Sequence, residues 1–264
     1  MRLTLAPLTN FDIGAVAAAV IAYAALRVGA LDLGGALAAF VVGTATFGGL
    51  GGAGATVLLG FFITSVALSR VGKAGKAAML VDIGKTGPRD AAQVLANGGV
   101  AALCALLAFF VAPRFAIAFA GAFAAATADT WATEIGTLAG GRPRSILTGK
   151  PVATGLSGGV TFAGTAAEIA GALFVAALAL LLDAHAFVPV ALGGIAGALF
   201  DSLLGASVQS LRWCPQCKRA CEIDPHVCGA NTAPLRGLGW FGNDAVNGFA
   251  TLCGAAVALA AATL

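Results

Sequence analysis

Five acidic side chains lie inside or at the edge of apolar runs long enough to cross a bilayer: Asp129, Glu134, Glu168, Asp201 and Asp244. A charge at a bilayer centre costs about 2.5–3.5 kcal/mol or more, so such residues are paired or functional. No basic residue shares their spans. The acids therefore need an outside partner: a metal cation, protons or a cationic substrate. Carboxylates with the amide oxygens of Asn97, Asn243 and Asn247 suit a hard cation, and Mg²⁺ typically takes one or two carboxylates plus substrate phosphates. The competing reading is a set of protonated acids hydrogen-bonded to neighbouring helices. Asp129 and Glu134 are separated by about 140° on a helix, so they can flank a cation, or Glu134 can bind a neighbouring group.

Basic and glycine-rich segments supply groups for phosphate. One segment carries Lys73, Lys76, Lys85 and Arg89, and a second carries Arg142, Arg144 and Lys150 ahead of Gly155–Gly159. Helix N-termini that follow glycine bind phosphate through free N–H groups and the helix dipole. Asn97-Gly98-Gly99-Val100 and Ser157-Gly158-Gly159-Val160 are similar tetrads at the expected starts of two spans. Simple helix packing explains such glycines equally well. Their spacing ahead of Asp129 and Asp201 also suggests a duplicated two-helix unit.

The elements that hold these residues are membrane helices. The chain of 264 residues is 59% hydrophobic and 10% charged, with a mean hydropathy of +0.94. Soluble domains carry about 25% charged residues, so a soluble fold is excluded. The apolar runs are too long and too uniform for barrel strands. The expected fold is all-α, a polytopic helix bundle of eight spans near residues 12–28, 33–50, 53–70, 92–112, 115–138, 156–182, 186–207 and 242–263. Spans two and three meet at Gly48-Gly49-Leu50-Gly51-Gly52, as a tight hairpin or a re-entrant pair. No cleavable signal peptide stands out before Ile13. The bundle reads as one integral-membrane domain over 1–264, with residues 208–240 inserted as a Cys/His-rich loop.

Thirteen of the 15 basic residues fall in connections on one side of this arrangement, leaving Arg2 and Arg114 on the other. The positive-inside rule makes the basic side cytoplasmic and puts both termini outside. Asp129, Glu134, Asp201 and Asp244 then approach the cytoplasmic ends of their spans. Glu168 is expected deeper, buried and protonated.

The last connection reads Cys214-Pro-Gln-Cys217-Lys-Arg-Ala-Cys221, followed by His226 and Cys228. Five potential ligands exceed the four of a tetrahedral zinc site, and disulfides are disfavoured in the cytoplasm. Unmetallated thiols are the alternative. Cys104 and Cys253 read as packing residues within spans.

Several blocks resemble one family. They are Asp129-Thr-Trp-Ala-Thr-Glu-Ile-Gly136, Asn97-Gly-Gly99, Gly155-x-x-Gly-Gly-Val160, Asp201-Ser-Leu-Leu-Gly205 with Gln209, and Asn243-Asp-Ala-Val-Asn247. Together they resemble the integral-membrane family that includes plant phytyl-phosphate kinase, catalogued as domain of unknown function 92. The match runs from about residue 35 to the end, and the DTWxxEIG block is its most specific part. The resemblance implies transfer of a phosphoryl group from a nucleoside triphosphate, CTP by preference, to a phytyl or polyprenyl monophosphate. Asp129, Glu134, Asn97, Asp201, Asn243, Asp244 and Asn247 are the matching polar positions. On this reading Asp129 and Asp201 are the first metal ligands, followed by Asp244 and Glu134. Lys85, Arg89, Arg142, Arg144 and Lys150 bind phosphates, assisted by Ser157, Gly158 and Gly159. The partners are the nucleotide, the isoprenoid lipid monophosphate and the bilayer, with no nucleic acid; the cofactors are Mg²⁺ and a structural Zn²⁺. Two other classes compete: a cation-coupled transporter, which needs acids near the midplane, and a CTP-dependent lipid cytidylyltransferase, which would release diphosphate.

Overall fold

The computed structural model describes residues 6–72 and 87–263. The apolar runs form seven helices long and apolar enough to cross a membrane. They are α1 (Ala6–Arg27), α2 (Leu33–Arg70), α3 (Ala91–Phe110), α4 (Phe115–Leu138), α5 (Phe162–Ala179), α6 (Phe187–Ser207) and α7 (Asn243–Ala261).

The 38 residues of α2 would reach nearly twice the roughly 30 Å hydrocarbon thickness if straight. Instead the helix breaks at Gly51, whose φ of 60° and ψ of −149° are open to glycine and strained for other residues. Contacts show that the chain reverses there. Phe62 packs in the same cluster as Ala39 and Phe40, and the Arg70 Nη2 donates to the Val28 carbonyl at 3.1 Å. The expected hairpin is therefore present, as arms 33–50 and 52–70 joined at Gly51, and the described residues make eight passes.

Side-chain caps set three of the helix starts on one end of the bundle. The Asp32 carboxylate accepts from the Gly35 N–H, Asp90 forms a capping box with Gln93, and Thr161 accepts from Gly164. Two expectations change as a result. Asn97-Gly98-Gly99 lies inside α3, past its first turn, where Gly98 faces Val42 of α2. The span expected from 156 becomes helical only at Phe162, because residues before it form a strand and the cap. The two tetrads therefore occupy different structures, which removes the basis for the duplicated unit.

The centre of the bundle is α4. Every residue from Ala116 to Ala128 is buried, with Phe119 and Phe123 filling the space left by the alanines. It packs against α2, α3, α5, α6 and α7. Small residues let the backbones approach closely, as membrane helix pairs require: Gly171 of α5 lies on Ala128, and Gly197 of α6 lies on Ala125.

Two short sheets cap one end of the bundle. Strands β1 (Arg144–Ser145) and β2 (Gly159–Val160) pair antiparallel in the α4–α5 connection. Strands β3 (Leu211–Cys214), β4 (Arg219–Cys221) and β5 (Ala233–Arg236) form an antiparallel sheet in the order β4-β3-β5 between α6 and α7. Among the described residues, Arg114 is the one lysine or arginine at the opposite end.

Candidate active site

Asp129 of α4, Glu168 of α5 and Asp201 of α6 converge within Coulombic reach of one another. The close α4–α5 and α4–α6 contacts at small residues bring their helices together at this level. Glu168 is only 4% exposed. Its Oε1 and the Oδ2 of Asp201 are buried without a hydrogen-bond partner. A buried carboxylate oxygen with no partner is costly, and three neighbouring carboxylates add repulsion. A bound cation or protonation relieves both. The donor set is all oxygen, which fits a hard divalent cation such as Mg²⁺.

Glu134 lies toward the capped end of α4, within Coulombic reach of Arg89 at the foot of α3. Burial pulls the Arg89 guanidinium below its ordinary value, and Glu134 offsets this. The Arg89 backbone is fixed by its N–H to the Ala30 carbonyl at 3.1 Å and by its own carbonyl, which accepts from the Asp32 N–H at 3.0 Å. A Cβ at Gly35 would collide with that carbonyl.

Arg89, Gln93 and Asn97 line one side of a cavity of about 100 Å³ between α1, α2 and α3. The rest of its lining is apolar, including Ile21, Val42, Leu58, Phe62, Val94 and Phe123. Asn97 Nδ2 donates to the Gln93 carbonyl at 2.9 Å, which fixes the amide against the helix. A larger cavity of about 610 Å³ lies at the opposite end, lined by Arg114, Asp183 and Thr263. It has no part in the carboxylate site.

The Ser157-Gly158-Gly159 turn is held by the Cys-rich loop. Glu222 accepts from the Ser157 N–H at 2.8 Å and from its hydroxyl at 3.0 Å, and from Gln209 Nε2 at 2.8 Å. Burial pushes the Glu222 carboxyl up, while the Ser157 bonds, Arg236 and Gln209 pull it down. Arg236 donates to the carbonyls of Gly205 and Ala206 at the end of α6. Gly158 packs on Ala206, and Gly159 pairs with Ser145. The turn is therefore built as a packed joint, with the Ser157 N–H already engaged, and α5 begins beyond it.

The other expected residues are distributed around this end. Arg142, Arg144 and Lys150 are exposed on the α4–α5 connection, and Arg144 donates to the Gly149 carbonyl at 2.8 Å. Asn243, Asp244 and Asn247 stand on the first turns of α7, Asp244 and Asn247 half-buried. Lys85 lies outside the described residues. In the loop, Cys214, Cys217, His226 and Cys228 come together, whereas Cys221 turns away, its thiol facing the Ile223 carbonyl. The expected five-ligand set is thereby reduced to four.

Two residues gain a place that the sequence reading did not give them. Glu168 was expected apart from the metal ligands, and Glu222 was not singled out. A loop acid beside cysteines carries no spacing signal, so only the tertiary contact with Ser157 identifies it.

Residues 16–255 match the family described as integral membrane protein DUF92. The chain is 32% identical to Protein PGR of Arabidopsis thaliana over 75% of its length and 79% of the relative's. It is 40% identical to an uncharacterized membrane protein of Methanocaldococcus jannaschii over 57% of its length and 63% of that protein's. It is 29% identical to Protein VTE6, chloroplastic, of Arabidopsis thaliana over 70% of its length and 58% of that protein's. No solved structure matches the chain. The chain, a polytopic helical membrane protein with its polar blocks gathered at one end, thus belongs to the DUF92 family of integral membrane proteins.

Proposed function

We propose that this protein is a membrane isoprenoid-phosphate kinase, which transfers the γ-phosphoryl group of a nucleoside triphosphate, CTP by preference, to a phytyl or polyprenyl monophosphate. The observation that carries this reading is the Asp129–Glu168–Asp201 cluster with two buried, unpartnered oxygens. Membership of the family that includes plant phytyl-phosphate kinase supports the reaction class.

Asp129, Asp201 and Glu168 would hold Mg²⁺, which would neutralise charge on the β- and γ-phosphates. Glu134, further along α4, and Asp244, in the first turn of α7, would act nearer the capped end. An oxygen of the lipid monophosphate attacks the γ-phosphorus; the new P–O bond forms as the bond to the β,γ-bridging oxygen breaks, and the nucleoside diphosphate leaves. The attacking oxygen is already ionised near neutral pH, so no general base is needed. The residues contribute positioning and charge, which is most of what phosphoryl transfer requires.

The cavity between α1, α2 and α3 suits the acceptor. Its apolar lining would take the first part of an isoprenoid chain, with the remainder in the bilayer, and Arg89, Gln93 and Asn97 would meet the head group. Arg142, Arg144, Lys150 and Lys85 are the further cations for the nucleotide phosphates. The positive-inside rule would make this end cytoplasmic.

A transporter is favoured by one feature. Glu168 lies six residues into α5, roughly 9 Å along the axis, deeper than a surface site. The test is an assay of purified protein with Mg²⁺, γ-labelled CTP or ATP and phytyl, farnesyl or geranylgeranyl monophosphate. Label should appear in the lipid diphosphate and be abolished by Asp129→Asn. Release of diphosphate with a lipid–nucleotide product would identify a cytidylyltransferase instead. Absence of any nucleotide-derived product from folded protein, with proton- or Na⁺-driven flux in vesicles, would overturn the enzyme reading.

A further inference from the structure

The geometry points to a structural zinc site, Cys214, Cys217 and Cys228 with His226 Nδ1, that holds Glu222 on the Ser157 turn. All four ligand atoms lie within 4.8 Å of one another. Cys214 Sγ and Cys228 Sγ are 3.6 Å apart, Cys217 Sγ and His226 Nδ1 are 3.6 Å apart, and His226 Nδ1 and Cys228 Sγ are 3.2 Å apart. Zn–S bonds of about 2.3 Å and Zn–N bonds of about 2.0 Å at tetrahedral angles put ligand atoms about 3.5–3.8 Å apart. Three edges already approach those values, and the remaining ones, all within 4.8 Å, need side-chain adjustments of about 1 Å at most.

The surrounding backbone is built to the same purpose. Cys214 ends β3 and pairs with Arg219 at the start of β4, so the Cys-Pro-Gln-Cys turn is the tip of a hairpin. The Cys217 N–H donates to Cys214 Sγ at 3.4 Å, the direction that stabilises a metal-bound thiolate. Lys218, at φ 51°, is the non-glycine residue that closes this turn in the left-handed region. His226 is 2% exposed, and its N–H bonds to the Ala230 carbonyl at 3.0 Å, fixing the second ligand pair. A histidine and three thiols gathered this closely, with Cys214 and His226 enclosed, have no packing function that apolar residues would not serve better.

The link to the bundle follows from chain position. Glu222 immediately follows Cys221 at the end of β4, and Arg236 ends β5. One side of the sheet carries the ligand hairpin, and its ends carry the side chains that grip Ser157, Gly205 and Ala206. The sheet has three strands of four residues or fewer, and a metal crosslink at its hairpin tip would add to its order. This site is independent of the kinase reading, since it requires no particular chemistry at the carboxylates.

The test uses the full chain purified in detergent without added metal. Metal analysis should find one zinc per chain, and exchange with Co²⁺ should give the visible bands of a tetrahedral thiolate site. Cys221→Ser should keep the zinc; Cys217→Ser and Cys228→Ser should lose it. Glu222→Gln should also keep it, yet show faster hydrogen exchange at the Ser157 amide. Wild-type protein stripped with a chelator should show the same faster exchange, which covers the case in which the cysteine variants fail to fold. Iron in place of zinc, zinc retained in both cysteine variants, or an unchanged Ser157 amide on stripping would overturn the proposal. None of these readouts depends on phosphoryl transfer.

Discussion

Glu168 shows how one residue's role turns on where its helix begins. Counted from a span start at 156, it sits deep and apart from the other acids. The helix starts at Phe162, because Gly159–Val160 is a strand and Thr161 a cap, and this moves Glu168 toward the capped end beside Asp129 and Asp201. Hydropathy cannot separate a small, half-apolar strand from the helix that follows it. Asp129 and Asp201 were legible because each interrupts a long apolar run. Removing one preorganised electrostatic group from an active site typically costs about 100- to 1,000-fold in rate. Glu168→Gln should therefore lower transfer by about 100-fold or more while the protein stays folded, as checked by initial rates with a thermal-shift control. An unchanged rate would return Glu168 to a packing role.

At the scale of elements, the eight passes could be read from runs of about 20 apolar residues, and the Gly48–Gly52 cluster marked the reversal in α2. The approach of the α3 foot to α2 was not legible, since it depends on two loops meeting. There Gly35 leaves room for the Arg89 carbonyl, and Asp32 bonds to it. Gly35→Ala should force that loop outward, lower the melting temperature by an amount equivalent to about 1–3 kcal/mol, and raise KM for the lipid acceptor more than it lowers kcat. Gly52→Ala, with open space around its Cβ position, should leave both unchanged. Equal effects of the two substitutions would show that glycine flexibility, and not the close approach, matters at Gly35.

For the whole molecule, the charge partition read from sequence predicts a single orientation. The described structure gathers Arg27, Arg70, Arg89, Arg142, Arg144, Lys150, Arg212, Lys218, Arg219 and Arg236 toward the capped end, opposite Arg114. With eight passes, α1 begins and α7 ends on the Arg114 side. Impermeant thiol labelling of single-cysteine variants in intact cells should therefore modify position 114 and spare positions 144 and 150; the reverse pattern would place the carboxylate site outside. The fold class was legible from composition alone, whereas the meeting of α4, α5 and α6 at three acids was not, because helix neighbours are chosen by small-residue contacts far apart in sequence.

The Cys-rich excursion begins and ends at one point. The Leu238 N–H bonds to the Val208 carbonyl, and the Ser210 N–H to the Phe241 carbonyl, both at 3.0 Å. The strands between them thus form a closed appendix whose two ends are already side by side. Residues inserted at its outer turns need not shift α6 against α7, since the cost of closing the loop changes only slowly with its length. The helices beneath supply the carboxylates, and the appendix sits over their end like a lid hinged along a single edge, tied down by Glu222 and Arg236.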